Sequence, residues 1–207
     1  MRKFVLLMSV CVPVLFATLA HAQQFDFAVG GGTLFSTRNT TASQGYVQPA
    51  EKGGLYPSVS FDRVYKNHYG YSAELTYRDK QGLYNDYQRF RPVIYDFNAL
   101  YEPHLTGLFP ARQEKRISID FMGGAGGESV LYANPYGYCG YSTGCSTRLD
   151  SNHFLLHASA EIRYRLWRNF FIRPEAHIYH IINNTNDFHS DNVFRLGASL
   201  GYTFHTD

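Results

Sequence analysis

The chain has 207 residues, 44% apolar and 17% charged, with 17 Tyr and 16 Phe but a single Trp. So many aromatics exclude a disordered chain, the length suits one domain, and the 18 glycines keep no period of three. The net charge of +2 comes from Arg2 and Lys3 in an acid-free leader, so the remainder is neutral and offers no basic face for nucleic acid.

Residues 1–22 read as a signal peptide. Arg2 and Lys3 form the charged start, Phe4 to Leu19 the apolar stretch, and Ala20-His21-Ala22 a small-x-small cleavage site. Pro13 interrupts the stretch, which argues against a retained membrane helix. Cys11 follows Val10 rather than a small residue, so it is expected to leave with the leader rather than carry lipid. The mature domain is then 23–207.

From there period-two alternation runs through nearly the whole chain. Phe25, Phe27, Val29, Gly31, Thr33 and Phe35 alternate with Asp26, Ala28, Gly30, Gly32 and Leu34. The same pattern recurs over 55–62, 69–78, 93–102, 117–124, 154–164, 170–179 and 194–204. These eight segments are about ten residues each, the length a tilted strand needs to cross a bilayer core. The connections 36–54, 79–91, 127–152 and 181–192 are long, whereas 65–68 and 167–169 are tight; 103–115 is the exception. Short turns on one side and long loops on the other is the arrangement of outer-membrane barrels.

Two sets of side chains must point opposite ways. One set carries the acids Asp26, Asp62, Glu74, Asp96, Glu102, Asp120, Glu161 and Glu175, with Arg78, Arg163, Arg165, Arg173 and Arg195. Acids and arginines removed from water survive as hydrogen-bonded pairs, and Arg suits that role better than Lys. The four lysines after the leader, Lys52, Lys66, Lys80 and Lys115, all fall in connections. The other set is apolar, with Tyr69, Tyr77, Tyr101, Tyr164, Phe170 and Phe204 near segment ends, where interfacial girdles belong. The expected fold is all-β: one eight-stranded antiparallel up-and-down barrel with lipid outside. Its lumen is expected to hold a charge network of Glu74, Asp96, Asp120, Glu161, Arg163, Arg173, Glu175 and Arg195, with the first four acids contacting the arginines. A secreted soluble ligand-binding barrel is the competing reading.

At this point the sequence resembles the small OmpA/OmpX-like outer-membrane β-barrel proteins. The resemblance covers 23–207 and is most specific in the last segment, FRLGASLGYTF. There the spacing of Leu200, Tyr202 and Phe204 looks like the C-terminal signal read by the outer-membrane assembly machinery. That family usually ends on the aromatic, whereas His205-Thr206-Asp207 follow here. The resemblance implies export through the periplasm to the outer membrane of a Gram-negative-type cell, with outer-membrane lipids as neighbours and the long loops outside.

Cys139 and Cys145 remain after the leader, close together in YCGYSTGC and flanked by glycines. In an exported chain they are expected to form a disulfide, the alternative being two free thiols in a loop. Pro57 and Pro174 remove ladder donors and should lie near a rim or beside a bulge, and the glycine runs 30–32 and 123–127 suggest strongly bent positions.

Nothing else rises to a cofactor or metal site. The glycine runs complete no phosphate-binding motif, and no cofactor is implied. His177 and His180 are at odd spacing in a strand and face opposite ways; Asp187, His189 and Asp191 read as a solvated loop tip. His157-Ala158-Ser159 with Glu175 is similar to the H-x-S pair and distant Glu of outer-membrane lipid A deacylases. Parity, however, turns His157 and Ser159 into the lumen, and Ala160 replaces that family's Asn. The expected function is therefore non-enzymatic: envelope integrity or surface interaction through the extracellular loops, whose partner the sequence does not name. The alternative is a deacylase-like hydrolase. Eight strands leave no room for an open diffusion pore.

Overall fold

A strand with one apolar and one polar face needs neighbours on both edges, and in this chain every long strand has them. The structure, a computed structural model, describes residues 24–36, 52–65, 68–83, 88–104, 116–140 and 144–205. Its barrel strands are β1 (Gln24–Ser36), β2 (Tyr56–Val64), β3 (Tyr69–Tyr77), β4 (Arg89–Tyr101), β5 (Ile117–Gly140), β6 (Gly144–Trp167), β7 (Phe170–Ile181) and β8 (Asn192–His205). Each pairs antiparallel with its sequence neighbour, and β1 pairs β8 from Gln24↔His205 to Ser36↔Val193, which closes the sheet. A two-residue strand, Gly82–Leu83, adds to the start of β4.

The faces sort as parity demands. Along β7 burial alternates without exception: Phe171, Arg173, Glu175, His177 and Tyr179 are buried, while Ile172, Pro174, Ala176 and Ile178 are exposed. Val29, Phe61, Leu75, Tyr95, Phe97, Phe121, Leu156, Ile162 and Leu200 are among the large apolar side chains on the outer surface. A chain that must bury its charges and expose its leucines has a membrane, not water, as its outer solvent.

Three sequence expectations need correction. The connection 127–152 is no loop: β5 and β6 continue as a hairpin, each 24 residues long, with one register shift between Ala133 and Tyr138. The glycine runs hold no bulge, since register passes unbroken from Gly30 to Gly32 and from Gly123 to Gly127. Their role is close approach. A Cβ on Gly124 or Gly126 would stand 2.0 Å from the carbonyl oxygen of Phe97 or Tyr95. The connection 181–192 contains a single helical turn, α1 (Thr185–Phe188), whose Phe188 is buried.

The prolines sit differently from one another. Pro57 is the second residue of β2, at the rim. Pro174 is mid-strand, and the β6–β7 ladder has a gap there, between Glu161↔Glu175 and Tyr164↔Ile172. The tight turn before β3 closes with the Tyr65 N–H donating to Tyr69 O at 2.9 Å and His68 at φ 64°; Arg168, at φ 48°, turns β6 into β7. The leader and Cys11 lie outside the described residues.

Candidate functional site

The lumen is the most heavily constructed part of the molecule. Three arginines from adjacent strands, all buried, reach across it. On β6, the Nη2 of Arg163 lies 2.7 Å from Asp120 Oδ2 and 3.0 Å from Asp26 Oδ2, and its Nη1 lies 3.5 Å from Glu102. On β7, Arg173 pairs with Asp62, with Glu161 at 3.0 Å and Glu175 at 3.7 Å, and donates to Ser60 Oγ at 2.6 Å and Ser199 Oγ at 3.1 Å. On β8, Arg195 pairs with Glu74 and with Glu175 at 3.0 Å, and donates to Thr76 Oγ1. The planar guanidinium carries five donors, so one cation serves two or three carboxylates. The structure thus brings Glu74, Asp120 and Glu161 onto arginines. Asp96 it does not: that carboxylate meets Asn98 and, at 3.4 Å, His157. The reason is position, since its lumen neighbours are these polar groups and, among the described residues, no guanidinium reaches that carboxylate.

A chain of hydrogen bonds links these groups. Arg195 Nη2 contacts His177 Nε2 at 2.7 Å, His177 Nδ1 contacts His157 Nε2 at 3.0 Å, and His157 Nδ1 contacts Asn98 Oδ1 at 2.8 Å. A guanidinium can only donate, so His177 Nε2 accepts and its Nδ1–H donates onward; His157 then donates from Nδ1 to Asn98. One proton arrangement satisfies the whole chain. Tyr179 stacks on His157 at 4.8 Å.

Glu74, Glu175 and His177 offer three ligand atoms within 4.8 Å of one another, the spacing of a metal site. Arg195 Nη2 already stands among them, bonded to all three. The guanidinium is the cation of that cluster.

The hydrolase constellation is not assembled. His157 and Ser159 both face the lumen, and both ring nitrogens of His157 are engaged by Asn98 and His177. The Ser159 hydroxyl is buried without a hydrogen-bond partner among the described residues. Glu175 is held by Arg195, Arg173 and Ser199. Nucleophile and base must share a hydrogen bond, and here they do not.

Apolar clusters close the network at both ends. Val64, Leu100 and Met122 lie toward the tight turns, and Leu34, Tyr56, Ile94, Leu155, Tyr179, Ile181 and Val193 toward the long connections. Above the latter, Phe188 of α1 packs with Phe90, Val130 and Tyr132. Sequence reasoning missed this stopper because a four-residue helix is too short to show a period.

It also missed a polar tie at the same rim. His153 Nε2 lies 2.9 Å from Asp187 Oδ2, Ser151 Oγ lies 2.9 Å from both, and His153 Nδ1 meets Ile182 O at 3.2 Å. A catalytic triad puts nucleophile and carboxylate on opposite ring nitrogens; here they crowd the same one. The arrangement fastens α1 to β6. Asp191 accepts from the Thr185 backbone N–H at 2.7 Å, so Asp187, His189 and Asp191 do not converge as ligands. Arg165, inward by parity, donates to Gln24 Oε1 at 3.4 Å, and Arg78 lies over the Phe90 ring. Cys139 and Cys145 are directly opposite in the β5–β6 register; the Cys139 side chain lies outside the described residues.

No family model matches the chain, and no curated protein matches it in sequence. Solved structures do match its fold. Ail of Yersinia pestis, in complex with the heparin analogue sucrose octasulfate, superposes with a TM-score of 0.57 at 13% identity, over 87% of this chain and 98% of that one. The neisserial surface protein A gives 0.57 at 12% identity, over 88% and 98%. A major outer membrane protein from Thermus thermophilus gives 0.57 at 12%, over 87% and 99%. The chain therefore has the closed eight-stranded fold of small outer-membrane barrels.

Proposed function

We propose that the chain is exported by its leader, inserted in an outer membrane through its C-terminal strand, and acts there without catalysis. Its role is envelope integrity or surface interaction through the β5–β6 hairpin and the neighbouring extracellular loops. The observation that carries this reading is the division of the barrel. The lumen is filled with ion pairs and capped by apolar clusters, so among the described residues what remains free to meet a partner is the long hairpin. The soluble-barrel alternative fits poorly, because a water-facing surface would not carry Phe97 72% exposed and Leu200 62% exposed among many others.

Two measurements on expressing cells test this. The protein should fractionate with the outer membrane and run differently on a gel before and after boiling. The lipid A acylation pattern should be the same with the parent chain, with Ser159→Ala and with neither. Acyl loss caused by the parent and abolished by Ser159→Ala would establish the hydrolase instead.

A further inference from the structure

The three lumen arginines share eight carboxylate contacts. Three other arginines, on the outer surface of the barrel near the long-loop rim, have none. On β4, burial alternates so that Arg89, Arg91, Val93, Tyr95 and Phe97 point outward, while Phe90, Ile94 and Asp96 point inward. Register carries the row across the sheet: Arg89 is opposite Ala133, which is opposite Arg148, and Arg91 is opposite Leu131, which is opposite Asp150. Period-two parity puts Arg148 on the same outer face as Arg89. Arg89 and Arg148 are exposed and Arg91 is half-buried.

Their guanidinium groups form no ion pair among the described residues. Among the described residues, no carboxylate oxygen lies within 4.0 Å of any of the three. Arg91 Nη2 donates to Asp79 O at 2.9 Å, and its Nε is buried with no hydrogen-bond partner among the described residues. Asp150, the nearest acid by register, is two strands from Arg91 and two residues along β6 from Arg148 on the same outer face, and it forms no ion pair with either among the described residues.

Their depth identifies the ligand. Tyr101 marks the tight-turn end of the outer face of β4, and Arg91 is ten residues along the strand. At ~3.3 Å per residue and a tilt of ~40°, that is ~25 Å along the membrane normal, the height of the apolar band. Arg91 therefore sits where acyl chains end and headgroups begin, with Arg89 one step further out. Directly below are Val93, Tyr95 and Phe97, and level with Arg91 on β5 is Leu131, all on the outer face.

We propose that Arg89, Arg91 and Arg148 bind the phosphate groups of a phosphorylated glycolipid of the outer leaflet, whose acyl chains lie on Val93, Tyr95, Phe97 and Leu131. A phosphate accepts from paired guanidinium donors as a carboxylate does, and supplies the counter-charge that the protein itself withholds here. The proposal rests on the reading that the barrel spans an outer membrane with this rim outside.

The test uses the full mature chain in nanodiscs of phosphatidylcholine doped with lipid A, either bisphosphorylated or fully dephosphorylated, and counts retained glycolipid by native mass spectrometry. The parent should keep the bisphosphorylated form and not the dephosphorylated one. The triple variant Arg89→Gln/Arg91→Gln/Arg148→Gln should lose about tenfold or more in retention, and the triple Lys variant should recover part of it. Arg116→Gln/Arg168→Gln, at the opposite rim, should match the parent. Equal retention by the Gln variant, equal retention of the dephosphorylated lipid, or release by millimolar inorganic phosphate would each overturn the proposal. A disc offers the same lipid on both faces, so this result does not depend on orientation. A reversed barrel would instead show as whole-cell labelling of a cysteine at position 168, and would remove only the outer-leaflet assignment.

Discussion

Arg195→Ala should be among the most damaging single changes in this protein. The side chain is fully buried and bonds Glu74, Glu175, Thr76 and His177 at once. Removing it leaves two carboxylates facing each other in a closed lumen, and deprives the histidine chain of the donor that orders it. Breaking one buried pair costs about 3–5 kcal/mol, and with two acids stranded the upper part of that range applies. At a guanidinium m-value of roughly 3 kcal/mol/M, the unfolding midpoint should fall by about 1 M or more. Lys80 is the comparison: its side chain is exposed, and Lys80→Ala should change stability by about 0.5 kcal/mol at most. Both can be read in detergent micelles through the fluorescence of the single tryptophan, Trp167, which lies outside the lumen. Glu74→Gln in the Arg195→Ala background should restore part of the loss, since it removes one stranded charge. Equal midpoints for Arg195→Ala and Lys80→Ala would refute the view that these charges hold the barrel closed.

Three further outcomes are open to measurement. Cysteines introduced at Thr40, Thr41, Ser142 or Thr143 should react with an impermeant reagent on whole cells, and those at Asn67 or Arg168 should not; the opposite pattern would reverse the orientation. Cys139 and Cys145 should be joined in purified protein, closing a seven-residue loop worth about 2 kcal/mol in the chain-entropy model, much of it local; full alkylation of both without reductant would disprove the bond. Asp187→Asn weakens the tie to His153 and Ser151, so amide exchange across 182–190 should quicken about tenfold while the barrel strands stay unchanged. Exchange in 182–190 that matches the parent would show that Phe188 packing alone holds α1.

Much of the fold could be read because strand parity needs no partner. Whether Asp26 or Phe27 points inward follows from counting, and every acid assigned inward in this way from Asp26 to Glu175, save Glu102 at the rim, is buried. The β5–β6 hairpin escaped the same counting for a physical reason. At the outer edge of the membrane and beyond it the outer face need not be apolar, so Ser129, Arg148, Asp150 and Asn152 interrupt the alternation while the ladder continues. Glu128, buried in the lumen, was hidden with them.

Partner identity was the part no pattern could supply, because it depends on how the sheet closes. Arg173 on β7 meets Asp62 on β2, 111 residues away, only because the β1–β8 seam curls the sheet round on itself. Composition nevertheless constrained the outcome. With acids more numerous than arginines in the lumen, pairing one to one was impossible, and each cation had to be shared. A guanidinium, with donors spread over three nitrogens, can bond Asp120 and Asp26 through one nitrogen and reach Glu102 with another, or bond Glu74 and Glu175 and still donate to Thr76. A lysine would present one compact charge on a flexible stem, which explains why Lys52 and Lys80 stand in connections while the lumen cations are all arginine. The same chemistry separates the two populations of arginine: Arg163, Arg173 and Arg195 are paired with carboxylates of the protein, and those at the outer rim are left to find their counter-charge in what surrounds it.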